Sequence, residues 1–122
     1  MLAEALTVIE AQLNLSDVAN AVYGLGKLGH DCSKSVVRLL HRQLLQYLPM
    51  MEAPQVAYVT WGVAKLHGVG FKLKSKLGTA ILDRVQATVD EMHAQSIGLV
   101  SWGLAALVKS EVRHFPAQFP PF

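Results

Sequence analysis

Apolar positions along this chain recur at intervals of three and four, broken by short polar punctuation. In "LSDVANAVYGLGKLG" (15–29), Val18, Ala21, Leu25 and Leu28 form one stripe of an amphipathic helix. "SKSVVRLLHRQLLQYL" (33–48) repeats the pattern with Val36, Leu40, Leu44 and Leu48. "KLGTAILDRVQATVDEM" (76–92) does so with Leu77, Ile81, Val85 and Val89. The spacing predicts helices over 2–12, 16–29, 33–48, 54–67, 75–92 and 94–109, an all-α chain.

Three of these helices share a phrase. "NAVYGLGKLG" (20–29), "AYVTWGVAKL" (57–66) and "GLVSWGLAALV" (98–108) each place an aromatic directly before a glycine in mid-helix, where glycine costs about 1 kcal/mol relative to alanine. Tyr23, Trp61 and Trp102 are 38 and then 41 residues apart, a period typical of helical-hairpin solenoids. Counting outward, Val18 aligns with Val56 and Ile97, Ala21 with Val59 and Val100, Leu25 with Val63 and Leu104, and Leu28 with Leu66 and Leu107. Leu13, Met51 and Met92 stand ten residues before each anchor. Each phrase is therefore read as the first helix, A, of a hairpin, with 33–48 and 76–92 as second helices, B. The expected domain covers 1–109: a partial unit at 2–13, units at 15–51 and 53–92, and a third A helix at 94–109. "HGVGFKLKSK" (67–76) reads as a loop by its glycines and charges. The expected architecture is an α-solenoid of antiparallel hairpins stacked into a right-handed superhelix.

At about 100° per residue the A helix sorts into faces. Positions 18, 21, 25 and 28 make the core seam. Positions 19, 22 and 26, with 57, 60, 64 and 98, 101, 105, are mostly small, as close helix approach requires. Positions 17, 20, 24 and 27 vary in chemistry: Asp17/Gln55/Ser96, Asn20/Tyr58/Leu99, Lys27/Lys65/Ala106. Only Gly24, Gly62 and Gly103 stay fixed there, and the expectation is that they leave room for a ligand against the helix. The aromatic anchor is expected to pack between repeats.

"LSDVANAVYGLGKLG" and "APQVAYVTWGVAKLH", with their period of 38, resemble octotricopeptide repeats, the degenerate helical hairpins of algal and other organellar proteins. The resemblance covers residues 2 to 108 and implies a solenoid that binds single-stranded organellar RNA in transcript maturation, stability or translation. Such repeats also occur as subunits of organellar ribosomes, so it implies a structural place in a ribosome or other ribonucleoprotein, in the mitochondrion sooner than the chloroplast. The third unit departs from the pattern: Ala106 stands for the lysine and "SEVRHFPAQFPPF" (110–122) follows in place of a B helix. Three prolines and three phenylalanines predict an extended tail there, with Phe115, Phe119 and Phe122 as anchors on another surface.

Charge changes the picture by its distribution. The net charge is only +2, yet Lys27 to Lys76 hold eight Lys/Arg against two acids. Lys34, Arg38 and Arg42 recur every four residues as a ridge on the first B helix. The expected RNA contacts are Asp17, Asn20, Lys27, Gln55, Tyr58 and Lys65 on the varied A face, with Arg38, Arg42, Lys72, Lys74 and Lys76 taking phosphates. If ridge and varied face lie on opposite sides, one set is a bystander.

With 52% apolar residues and 16% charged, the chain has large faces to bury or neighbours that cover them, so further protein chains are expected at the uncapped ends of the solenoid. No apolar run reaches the roughly 18 residues of a membrane span. The five histidines lack ligand spacing, no nucleophile motif is present, and "GVG" (68–70) lacks a dinucleotide turn's strand and third glycine. No catalysis, metal or cofactor is expected. The lone Cys32 excludes an internal disulfide, and "MLAEALTVIEAQL" carries acids and no base, unlike a transit peptide. Either a presequence has been removed or the chain is one segment of something longer, and the second is the expectation. The reading from a different class is a protein-binding scaffold of the HEAT or armadillo sort, with no RNA.

Overall fold

The computed structural model describes residues 13–29, 33–67 and 71–111. These residues are all-α: α1 (Leu15–Leu28), α2 (Lys34–Tyr47), α3 (Ala53–His67), α4 (Ser75–Thr88) and α5 (Ala94–Glu111). Single 3₁₀ turns, Leu48–Met50 and Val89–Glu91, end α2 and α4. The expected helix over 2–12 and the tail rings Phe115, Phe119 and Phe122 lie outside the described residues.

Local chemistry sets the helix starts. Asn14 caps α1: its Oδ1 accepts the Asp17 N–H at 2.9 Å, while Asp17 Oδ2 accepts the Asn14 N–H at 3.2 Å. Ser33 Oγ accepts the Val36 N–H at the start of α2. Gln55 Oε1 accepts the Glu52 N–H at 2.9 Å at the start of α3. Gly29, at φ 68°, turns the chain out of α1 in the left-handed region open to glycine.

The arrangement is helical-repeat-like. A helices α1, α3 and α5 pack side by side with α3 in the middle, and B helices α2 and α4 pack on each other and on the A layer. The core lies between the layers: Val18, Leu40, Leu44, Leu48, Val56, Val59, Val63, Leu66, Leu77 and Ile81 are buried. Each such side chain contributes about 1.5–3 kcal/mol. Met51 and Met92, ten residues before their anchors, are buried as the repeat register requires, and Arg84 Nε donates to the Met51 carbonyl at 2.8 Å. Phe71, in the expected loop, is fully buried and fastens that connection to the core.

Two expectations need correction. The seam predicted from 18, 21, 25 and 28 holds fully only in α3, where Val56, Val59, Val63 and Leu66 are all buried. In α1 it frays to Leu28, 67% exposed, and in α5 to Ile97, 47% exposed. Among the described residues each of these helices has an A neighbour on one side only, so its far edge meets solvent. On the B stripe, Val89 is exposed because α4 gives way there to the 3₁₀ turn.

The second correction concerns the glycines. A Cβ on Gly62 would lie 2.6 Å from the Val22 carbonyl oxygen, and one on Gly103 would lie 2.9 Å from the Thr60 oxygen. The room they leave is filled by the preceding A helix. Gly26 completes the first contact, since its own Cβ would sit 3.0 Å from Gly62 Cα. The small flank at 22 and 60 thus receives the glycine of the next unit, and backbone meets backbone. A Cβ on Gly24 would meet nothing within 4 Å among the described residues.

Candidate nucleic-acid interface

Five residues separate Val56 from Trp61, which at about 100° per residue puts the indole opposite the core seam. The three anchors therefore share the outer surface of the A layer. Tyr23 lies 5.1 Å from Trp61, and Trp61 lies 6.0 Å from Trp102, ring centroid to centroid, with the rings tilted. Tyr58 joins the series 4.6 Å from Tyr23. These separations fall in the range of favourable aromatic pairs. Tyr23, Tyr58 and Trp61 are half-buried, and Trp102 is exposed.

Lysines interleave with the rings. Lys27 Nζ stands 5.0 Å from the Tyr23 centroid. Lys65 Nζ stands 5.5 Å from Trp61 and 5.2 Å from Trp102. Both lie within cation–π range, so each ammonium is held over a ring face while its side chain stays exposed. The surface combines a run of partly exposed aromatic rings with two lysine ammonium groups.

The expected RNA contacts divide into three groups. Tyr58, Lys27 and Lys65 belong to the ring-and-lysine series, and Asn20 is exposed on the same helix as Tyr23. Asp17 and Gln55 serve helix starts, and Gln55 Nε2 also donates to Ser16 Oγ at 3.3 Å, tying α3 to α1. Arg38, Arg42, Lys74 and Lys76 surround a cleft in the B layer, with Val37, Leu45, Leu77 and His41. The Lys72 side chain is exposed outside that lining, and its carbonyl accepts the His41 Nε2–H at 3.0 Å. Ridge and A surface lie on separate layers with the core between them. The two sets of cations cannot serve one short ligand together.

Sequence reading missed the ring series, although its signal was present: the column that anchors the repeat stands half a turn from the seam. It also missed His41, whose ring stacks on Phe71 with centroids 4.6 Å apart and planes parallel. Burial chiefly holds its imidazole below the ordinary value, and nearby Lys74 adds to this against the hydrogen bond to Lys72.

Among the described residues no group of three His, Cys, Asp or Glu is placed to hold a metal ion, and no helix is long and apolar enough to cross a membrane. No protein-family profile, curated protein or solved structure matches the chain.

Proposed function

We propose that the chain is a non-catalytic α-solenoid of hairpins about 38 residues long that binds RNA, single-stranded or ribosomal, along the outer surface of its A layer. The observation that carries this reading is the unbroken series Tyr58, Tyr23, Trp61 and Trp102 with Lys27 and Lys65 over its rings. Aromatic faces take bases of any sequence at about 1–3 kcal/mol each, and adjacent lysines take phosphates. The resemblance to octotricopeptide repeats supports the same ligand, and it alone supports an organellar setting, mitochondrion before chloroplast, and a place in a ribosome or other ribonucleoprotein. Ile97 and Val108, exposed on α5, favour a protein neighbour at that edge. That edge is also the strongest support for the alternative, a protein-binding scaffold without RNA.

Fluorescence anisotropy with a mixed-sequence single-stranded RNA tests the reading. Affinity is expected to fall by orders of magnitude between about 50 and about 200 mM salt if several phosphates are engaged. Replacing Lys27 and Lys65 together by glutamate is expected to weaken binding sharply and flatten the salt slope by about two units. The same change at Lys72 and Lys74 is expected to do less. Equal losses at both places point to a diffuse field, and no loss at either leaves the protein scaffold.

A further inference from the structure

The B-layer cleft is a different kind of site from the A surface. It is a half-open cleft of about 280 Å³, just under the roughly 300 Å³ at which small-molecule pockets begin. Val37, Leu45 and Leu77 give it apolar walls, and the His41 ring, fixed by Phe71 and the Lys72 carbonyl, gives it a planar one. Arg38 and Arg42 reach it from α2, Lys74 and Lys76 from the start of α4, and among the described residues none that lines it is acidic. Lys74 is also the N-cap of α4 and makes no side-chain cap, so the first-turn N–H groups add positive potential at the same end.

We propose that this cleft binds a phosphate monoester about the size of one nucleotide, its phosphate among Arg38, Arg42, Lys74 and Lys76 and its base or sugar on the apolar and imidazole walls. Four cations around one small volume call for concentrated charge. A monoester carries about −1.5 to −2 at pH 7, where a backbone diester carries a single charge. Arginine forks and lysine ammonium groups together suit its three terminal oxygens. The volume matches one nucleotide, and the cleft lies in the B layer, so the proposal does not depend on RNA lying along the A layer.

Isothermal titration of the full chain with AMP, inorganic phosphate and adenosine tests it at near-physiological salt. AMP is expected to bind saturably and more tightly than phosphate, with adenosine at least ten-fold weaker than AMP. Arg38→Gln with Lys76→Gln, both exposed positions, is expected to lower AMP affinity at least ten-fold while leaving affinity for a 5′-hydroxyl RNA oligonucleotide within two-fold. A 5′-phosphorylated oligonucleotide that competes with AMP identifies a strand end as the source of the monoester, and one that does not identifies the free nucleotide. AMP binding no tighter than adenosine, no saturable AMP binding at millimolar concentration, or AMP binding unchanged in the double variant overturns the proposal. Failure of RNA binding with AMP binding intact counts against the A-layer reading alone.

Discussion

The two layers solve helix packing differently. In the A layer, Gly62 and Gly103 let backbones touch: the Val22 and Thr60 carbonyl oxygens lie 2.6 and 2.9 Å from where a Cβ would be. In the B layer, α2 and α4 meet through long side chains and leave a cleft ringed by Arg38, Arg42, Lys74 and Lys76. A backbone contact tolerates almost no change of side chain, whereas a side-chain contact tolerates many. This is why glycine is required at 62 and 103, where the preceding A helix meets it, while the B helices share only their apolar stripe. The A layer sets the pitch at which rings follow one another. The B layer can vary its charge without disturbing that pitch.

The largest loss is expected where the backbone contact is tightest. Gly62→Val would drive two methyl groups into the Val22 carbonyl and push α1 from α3, at a cost of about 3 kcal/mol, the upper end of ordinary overpacking. Urea denaturation measures it, and an unchanged midpoint would show that α1 and α3 do not meet as described. Trp61→Ala removes two aromatic pairs from a half-buried position and is expected to cost about 1–3 kcal/mol. A fully buried indole would have cost more, roughly 3–5 kcal/mol.

Much of the fold was legible because the helices are written in local periodicity. The predicted bounds of α1, α2 and α3 lie within one residue of those found, since Asn14, Ser33 and Gly29 mark their ends chemically. α4 was read to residue 92 because Val89 continues its apolar stripe, but the stripe does not reveal that the last turn is 3₁₀. The site was less legible. Asp17 and Gln55 vary because either satisfies an N-cap N–H, and variation at a polar column looks the same whether it reads a ligand or caps a helix. The glycines were misread because their meaning lies in a carbonyl 40 residues away along the chain, at Val22 for Gly62. Arg38, Arg42, Lys74 and Lys76 group together by charge alone in the sequence, but the cleft they share, with His41 as a wall, needs the tertiary fold.

A smaller, pH-dependent effect separates the layers. His41 in the folded chain holds its proton less tightly than a free imidazole, mainly through burial. The unfolded chain then binds more protons as pH falls through about 6.5, the ordinary histidine value, so folding weakens from there down toward the lower folded value. Thermal midpoints at pH 7.5 and pH 5.5 are expected to differ, with the acidic one lower. His41→Phe, which keeps a ring against Phe71, is expected to shrink that difference. If it leaves the difference whole, the titrating group lies elsewhere.

The smallest effect is the one that most sharpens the comparison, because its sign carries the information. Gly24 occupies the same repeat column as Gly62 and Gly103, but a Cβ there meets nothing within 4 Å. In α1, then, the column's glycine serves no contact among the described residues, and alanine would gain helix propensity and restrict the unfolded chain. Gly24→Ala is expected to stabilise the chain by about 0.4–1 kcal/mol, read as a higher urea midpoint with unchanged slope. Gly62→Ala, the same chemical change one repeat later, is expected to destabilise it, since its new Cβ would lie 2.6 Å from a carbonyl oxygen. Opposite signs at equivalent columns would establish that the glycine answers to the preceding A helix and not to the aromatic beside it. Were Gly24→Ala also destabilising, another helix must lie over the α1 face as α1 lies over α3, and the side-by-side array would continue past α1.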